Sequence, residues 1–180
     1  LYAAAAQRGI NRLVYQTLTN KDVYSTKNGN LAGTATELSL ESINAARVAM
    51  RKQKNLRGEA MLNIQPKYLI VPAEQEFKAR QLLSSTSDQT APNSGVVNPL
   101  YNSLQIISDA ELDAIDSNAW YVTADPALMD TIEVTYLNGQ QTPTLESQVA
   151  FDTLGIRYRI YMDYGVTVLD TKGLYKNAGK

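Results

Sequence analysis

The residue types that most often carry out chemistry are only partly represented in this sequence. Its 180 residues include no Cys and no His. Their absence excludes disulfides, thiolate zinc sites, thiol nucleophiles and every Ser-His or Cys-His catalytic pair. Carboxylates, lysines, tyrosines and serines remain, and these types can still act as acids, bases and nucleophiles. The composition therefore disfavours an enzyme without excluding one.

None of the remaining groups stands in a pattern that a known reaction requires. The sequence has no glycine-rich phosphate loop and no metalloprotease, nucleophile-elbow or Ser-x-x-Lys motif. Asp163 and Asp170 are candidate paired carboxylates, and Lys67 or Lys172 could activate a serine, but the sequence does not place them in one cleft. We therefore assign no catalytic, cofactor-binding or metal-binding residue and expect no cofactor.

Two runs of charge remain as candidate binding sites. The basic run Arg51, Lys52 and Lys54 follows a predicted helix, where positive charge favours the helix dipole. Such a run can bind phosphate, although a solvated helix end is the commoner structure. The acidic run comprises Asp109, Glu111, Asp113 and Asp116. Because it lacks the glycine and the spacing of a calcium loop, we predict an exposed acidic turn there.

The two halves of the chain carry opposite charge. Residues 1–83 hold twelve Lys or Arg against six Asp or Glu, a net of +6, and residues 84–180 hold five against twelve, a net of −7. The halves can neutralise each other within the fold, or they can meet between copies in an oligomer. A basic first half can also contact nucleic acid. Eleven tyrosines against two phenylalanines suit contact surfaces that stay partly wet.

Helices dominate the predicted elements of the first half. Apolar residues at helical spacing predict a helix from Leu1 to Leu18. Ser39 is a predicted N-cap, and Leu38 with Ile43 would form a hydrophobic staple. The further predicted elements are a loop over 20–36, a buried strand over 67–71, a helix over 73–83 and an exposed loop over 84–95.

Strands dominate the second half. Short strands are predicted over 104–107, 119–123 and 132–137, and Asn138-Gly139 predicts a hairpin turn after the last of them. Pro143 would keep the returning segment at a sheet edge. The period-two alternation over 155–170 predicts one long, half-buried strand with a joint at Gly165. Its apolar face would hold Ile156, Tyr158, Ile160 and Met162, and its polar face Arg157, Arg159, Tyr161 and Asp163.

Segregation of helices and strands predicts an α+β fold. No apolar run is long enough to span a membrane, and the first ten residues are too polar for a signal peptide. Since the chain begins with Leu, we expect a fragment, a processed product or the ordered part of a longer chain.

Several segments, in order along nearly the whole chain, resemble the major capsid subunit of tailed phages related to phage Mu, including prophage forms fused to a head-maturation protease. The resembling segments are NGNLAG (28–33), SLESINAARVAMRKQK (39–54), LNIQPKYLIVPAEQE (62–76), NPL (98–100), WYVTADP (120–126), YLNGQQTPTLES (136–147) and FDTLGIRYRIYMDYGVTVLDTKGLYKN (151–177).

The resemblance implies the Hong Kong 97 type coat fold, with a peripheral domain built on a long helix and a long-stranded sheet, and an axial domain. It implies that 1–35 ends the peripheral helix and that 36–128 forms the main axial part. Residues 129–168 would supply peripheral strands, and 169–180 would return to the axial side. The family's N-terminal arm, extended loop and most of its spine helix would lie upstream.

The implied function is assembly without a reaction. The subunit would form the hexamers and pentamers of an icosahedral head that encloses double-stranded DNA without sequence-specific binding, in a virion assembled in the cytoplasm of a bacterial host. A scaffold, protease or decoration protein would be a further partner, and no membrane is involved. The candidate subunit-contact residues are Arg51, Lys52, Lys54, Arg157, Arg159 and Asp163. The alternatives are an encapsulin-type compartment shell protein of the same fold and a small hydrolase that uses carboxylates or a Ser-Lys pair.

Overall fold

The computed structural model describes residues 2–88, 95–149 and 154–180. It divides into two compact units. Unit 1 takes the first helix up to Leu18 together with Ile132–Thr167, and unit 2 takes Thr19–Thr131 together with Val168–Lys180. The chain therefore passes between the units three times. The helices are α1 Tyr2–Thr19, α2 Leu40–Arg51, α3 Glu76–Ser84 and α4 Ala110–Asp113, and the strands are β1 Pro66–Pro72, β2 Gln105–Asp109, β3 Trp120–Ala124, β4 Ile132–Tyr136, β5 Thr144–Val149, β6 Ile156–Tyr161, β7 Tyr164–Val168 and β8 Leu174–Asn177.

Unit 2 is built on a four-stranded sheet in the order β2-β1-β3-β8. β1 runs parallel to β2 and antiparallel to β3, and β3 runs antiparallel to β8. β2 and β8 therefore point in the same direction at the two outer positions of the sheet. The sheet joins the two chain segments of the unit, because β1, β2 and β3 belong to Thr19–Thr131 and β8 belongs to Val168–Lys180.

The core of unit 2 lies between one face of this sheet and helices α2 and α3. β3 is buried along its whole length, as expected for a central strand with both faces covered. Trp120 and Val122 from β3 pack in one apolar cluster with Ile43 and Met50 from α2 and Leu83 from α3. Burial of apolar surface in this cluster stabilises the unit.

Helix α2 begins where the sequence predicts. The Ser39 hydroxyl accepts a hydrogen bond from the Ser42 N–H, and the Ser42 hydroxyl accepts one from the Ser39 N–H, so the two residues form a reciprocal capping box. Leu38 before the cap and Ile43 after it are both buried in the core, as the predicted staple requires.

Unit 1 contains α1 and two separate two-stranded sheets, β4-β7 and β5-β6. Gly9 lets Tyr164 of β7 approach α1 closely, because a Cβ at this position would lie 2.7 Å from the tyrosine hydroxyl oxygen. In β5-β6, six residue pairs are in register, from Thr144 opposite Tyr161 to Val149 opposite Ile156.

The α+β class is confirmed, and so are the predicted α1, β1, β2 and β3, within two residues at each described end. The segment after Pro72 is a short 3₁₀ turn, Ala73–Gln75, followed by α3. The acidic run forms the single helical turn α4, with Asp109 as its N-cap, and so is more ordered than an exposed turn. The predicted loop 84–95 extends partly outside the described residues.

The prediction of one long strand over 155–170 is wrong. The chain forms β6 and β7, and the break lies at Met162–Asp163, whereas Gly165 lies inside β7. The strand must break there because β6 pairs with β5 while β7 pairs with β4. The predicted hairpin at Asn138-Gly139 is wrong for the same reason. Both residues adopt positive φ, of 54° and 71°, but the strands on either side pair elsewhere.

None of the described helices is long and apolar enough to cross a membrane.

Candidate functional site

Over the described ranges, no group of three or more Asp or Glu residues is arranged to hold a metal ion. The candidate base Lys67 forms an ion pair with Asp125, with 2.6 Å between its Nζ and the carboxylate oxygen. This hydrogen bond is the main cause that lowers the pKa of Asp125 and raises that of Lys67. Asp163 lines a small cavity of about 260 Å³ in unit 1, whose other lining side chains are uncharged. In the structure, Lys67 thus forms a salt bridge, and Asp163 lines a cavity without another charged side chain.

One cluster of ionisable groups is substantially buried. The rings of Tyr24 and Tyr121 lie 5.9 Å apart, and the Lys176 ammonium lies over both, 5.7 Å and 5.5 Å from their centres. Burial raises the pKa of both phenols and lowers that of Lys176. The tyrosines therefore stay neutral at physiological pH, and the cation–π contacts hold the charged lysine against the sheet.

A charged groove of about 720 Å³ lies in unit 2, and we call it the lysine groove. Three segments form it: the loop before Asn30, the end of α2 and the turn before β8. Its lining residues are Lys27, Asn28, Gly29, Lys52, Gln53, Lys54, Asn55, Leu56, Leu169, Asp170, Thr171 and Lys172.

Two buried amides hold these three segments together. The Gln53 side chain donates to the Asn28 carbonyl at 2.9 Å and so ties the end of α2 to the loop. The Asn30 side chain donates to the carbonyl oxygens of Val23 at 2.8 Å and Thr171 at 3.3 Å, and it accepts from the Ser25 N–H at 2.8 Å. The walls of the groove are therefore fixed by the uncharged side chains of Gln53, inside the predicted basic run, and Asn30, far from it in sequence.

The groove is strongly positive. Lys27, Lys52, Lys54 and Lys172 line it together with one carboxylate, Asp170, whose side chain accepts from the Lys172 backbone N–H. In the part of the chain that the structure describes, none of these four ammonium groups lies in a salt bridge. Like charges held close together around a concave surface favour an anionic ligand.

The structure brings only part of the predicted basic run into this groove. Lys52 and Lys54 line it, whereas Arg51 is the last residue of α2 and does not. Sequence reasoning did not assign Lys27 to any site, and it considered Lys172 only as a group that could activate a serine. The only available signal was the isolated Lys27 beside the turn Asn28-Gly29, and nothing in the sequence pairs that loop with residue 172.

The other predicted contact residues lie in unit 1. Arg159 forms hydrogen bonds to Glu146 on the paired strand, from Nε at 3.1 Å and from Nη2 at 2.5 Å. Tyr161 donates to the second Glu146 oxygen at 3.1 Å, and these bonds, that of Arg159 first, lower the pKa of Glu146. Arg157 lies exposed on the same face, and Asp163 lies beyond the end of β6. The polar face of this ribbon is thus largely paired within itself.

The opposite face of the β5-β6 ribbon is apolar and exposed. The alternation of both strands places Leu145, Ser147 and Val149 opposite Ile160, Tyr158 and Ile156. All of the apolar residues in this set except Ile160 are largely exposed. A two-stranded ribbon with an uncovered apolar face is marginally stable by itself, so this face favours contact with another surface.

A second exposed charged surface lies around α4, and we call residues Glu111–Asp116 the acidic turn. Leu112 is buried and anchors it. Asp113 accepts hydrogen bonds from the backbone N–H groups of Ala73 and Glu74, which fixes the turn beside the end of β1. Ile115 is 45% exposed, and the exposed Asp116 accepts a hydrogen bond from the Asn118 N–H at 3.1 Å and interacts electrostatically with Lys176.

Comparison with known proteins gives two findings. A family model described as phage capsid protein matches residues 1–177. A solved structure from Mycobacterium phage Che8 is similar in fold, with a TM-score of 0.59 and 18% sequence identity, over 99% of this chain and 61% of that chain. The chain thus spans less than two thirds of the length of that neighbour. No curated protein matches the sequence.

Proposed function

Because the chain belongs to the phage capsid protein family, we propose that it is the structural subunit from which a phage head assembles. In this proposal, copies form hexamers and pentamers that tile an icosahedral shell around double-stranded DNA, without sequence-specific binding. The observation that carries the proposal is the match to the capsid family over residues 1–177. The proposed location is the virion, assembled in the cytoplasm of a bacterial host.

The finer part of the proposal is a Hong Kong 97 type fold of the kind found in Mu-like phages. Its support is the α+β organisation, the two units and the fold similarity to the chain from Mycobacterium phage Che8. We assign residues 36–128 to the main part of the axial domain and residues 129–168 to the peripheral-domain strands. Residues 1–35 would be the end of the peripheral-domain helix and a connecting loop, and residues 169–180 would return to the axial side as a tail.

We further propose that subunits meet through charged surfaces. A shell needs two complementary, non-identical surfaces on each copy, because identical patches meeting face to face produce only dimers. The opposite charges of the two halves and the uncovered lysine groove support this arrangement. The proposed contact residues are Arg51, Lys52, Lys54, Arg157, Arg159 and Asp163.

The proposal is tested by expressing the full chain in bacteria, alone and with its own scaffold, protease or decoration proteins. Negative-stain microscopy and light scattering should show rings or closed shells. Particles that contain DNA support a phage head. Particles loaded with a cargo protein instead would favour an encapsulin-type shell. A chain that stays monomeric at high protein concentration under all these conditions would refute the proposal.

We propose a structural role without catalysis, which membership of a capsid family supports and which has a direct test. Purified particles should show no turnover of ester, peptide or glycoside substrates above buffer. Hydrolysis that disappears when a single Asp or Ser is replaced would support a hydrolase.

A further inference from the structure

We propose that the acidic turn of one copy docks in the lysine groove of the neighbouring copy. The inference rests on the proposed function, and it names the two surfaces that meet. The lysine groove is a concave surface lined by four lysines and one aspartate, and the acidic turn carries three carboxylates within six residues of the same unit.

The chemistry of the groove specifies an acidic partner that also carries an apolar group. Four ammonium groups surround the groove, while Leu56 and Leu169 at its edge are 95% and 52% exposed. Leucines this exposed favour contact with a protein surface. Charge attracts the partner over distance, and the apolar contact then stabilises the docked state.

The acidic turn has the matching composition. The segment carries three carboxylates, those of Glu111, Asp113 and Asp116, together with the exposed side chain of Ile115. The turn is also pre-organised, since Leu112 is buried and Asp113 caps the chain after β1. Little conformational entropy is therefore lost when it docks.

The sheet keeps the two surfaces of one copy apart. α4 follows the carboxyl end of β2, whereas the groove residues Leu169–Lys172 precede the amino end of β8, and β2 and β8 point in the same direction. The register places Asp109 opposite Pro72, and Leu174 level with Tyr68 through β3. Four residues along the strands and three strand spacings across them put the two ends roughly 20 Å apart.

This separation keeps the acidic turn of one copy away from the lysine groove of the same copy. Exposed charges are largely screened beyond about 8 Å at physiological ionic strength. The groove of each copy is therefore left for the turn of another, and the contact is head-to-tail, the type that closes into rings. Nucleic acid is the other polyanion in a phage head, but a phosphate backbone would leave both exposed leucines uncovered.

A disulfide experiment tests the contact directly, because the chain has no Cys of its own. Full-length Lys54→Cys and Ile115→Cys are co-assembled as a mixture of two single variants, so any disulfide between them joins two copies. We expect a covalent dimer on a non-reducing gel after mild oxidation. The double variant should give a ladder of linked chains. The matched control pairs Lys54→Cys with Glu41→Cys, an exposed acidic position in the first turn of α2. It should give no dimer.

Charge exchange provides the second test. Lys54→Glu and Glu111→Lys should each weaken association by about fivefold per contact. The variant carrying both changes should regain subunit association, because each groove with a reversed charge then meets a turn with a reversed charge. Far-UV circular dichroism checks that every variant is folded.

The outcomes separate this inference from the proposed function. Normal particles with no disulfide between positions 54 and 115 would overturn the docking contact and leave the capsid proposal intact. Groove reversal that lowers the packaged DNA but not the assembly yield would also overturn it, in favour of nucleic-acid contact. Failure of the unmodified chain to form particles would overturn the capsid proposal and with it the docking contact.

Discussion

Asn30 offers a sharp test of how the lysine groove is held in shape. Its side chain is fully buried, donates to the Val23 and Thr171 carbonyl oxygens and accepts from the Ser25 N–H. Asn30→Ala removes three hydrogen bonds and leaves these backbone groups without this partner in a buried site. Since each buried unpaired group costs about 1–3 kcal/mol, we expect the free energy of unfolding to fall by about 3 kcal/mol.

The assay is urea unfolding at a protein concentration below that at which particles form. The single Trp of the chain, Trp120, is fully buried in the core, so its fluorescence reports unfolding of unit 2 directly. A loss of this size should also lower the melting temperature by about 6–12 °C for a chain of this length.

Asn28→Ala is the matched control, because Asn28 lies exposed in the same loop and contributes only its backbone carbonyl to the Gln53 bond. Its free energy of unfolding should stay within about 0.5 kcal/mol of the unmodified chain. Asn30→Asp should be worse than Asn30→Ala, since a carboxylate would face two carbonyl oxygens. An Asn30→Ala variant as stable as the Asn28→Ala control would refute this account of the groove.

Three further predictions concern charge, pH and close packing. Reversing the basic run to Glu should lower the particle yield, and more so at low salt, because salt screens exposed charges; equal loss at all salt concentrations would contradict this. The depressed pKa of Asp125 means that its ion pair with Lys67 stabilises the fold above about pH 4 and is lost as pH falls through that depressed value. The urea midpoints of Asp125→Asn and the unmodified chain should therefore converge between pH 6 and pH 3. A difference between the two midpoints that stays constant with pH would refute the stabilising role of this ion pair. Gly179→Ala should cost about 3 kcal/mol of unfolding free energy, since the new Cβ would lie 1.8 Å from the Asn118 oxygen at a φ of +68°. Gly58→Ala, at a similar φ of +74° but with open space around it, should cost only about 1 kcal/mol.

Local signals predicted the local structure well. The Ser39 cap and the apolar runs of β1 and β3 located their elements because capping and burial act within a few residues. Strand pairing is not local, so Asn138-Gly139 had the backbone of a hairpin turn while β4 paired with β7 instead. The break at Met162–Asp163 has the same origin.

The candidate site was predictable only in part, for a related physical reason. Lys52 and Lys54 stand in one run and were found together, but Lys27 and Lys172 join them through the bonds of Asn30 and Gln53. The Gln53 bond spans 25 residues and the Asn30–Thr171 bond spans 141, and hydrophobic periodicity carries no information about either. The opposite net charges of the two halves can be counted from the sequence. The positions of the lysine groove and the acidic turn depend on the sheet topology, which the sequence patterns did not predict.

The β5-β6 ribbon makes the order of unit 1 depend on what surrounds it. Its polar face is held by the Glu146–Arg159 pair, but its apolar face is largely exposed and packing there resists local opening only weakly. Its backbone amides should therefore exchange with deuterium much faster than those of buried β3, which exchange only when unit 2 unfolds. Slower exchange in the ribbon after assembly would measure how much contacts within the shell raise the free energy of opening the ribbon. The exchange rate of the ribbon amides would then distinguish a free subunit from an assembled one.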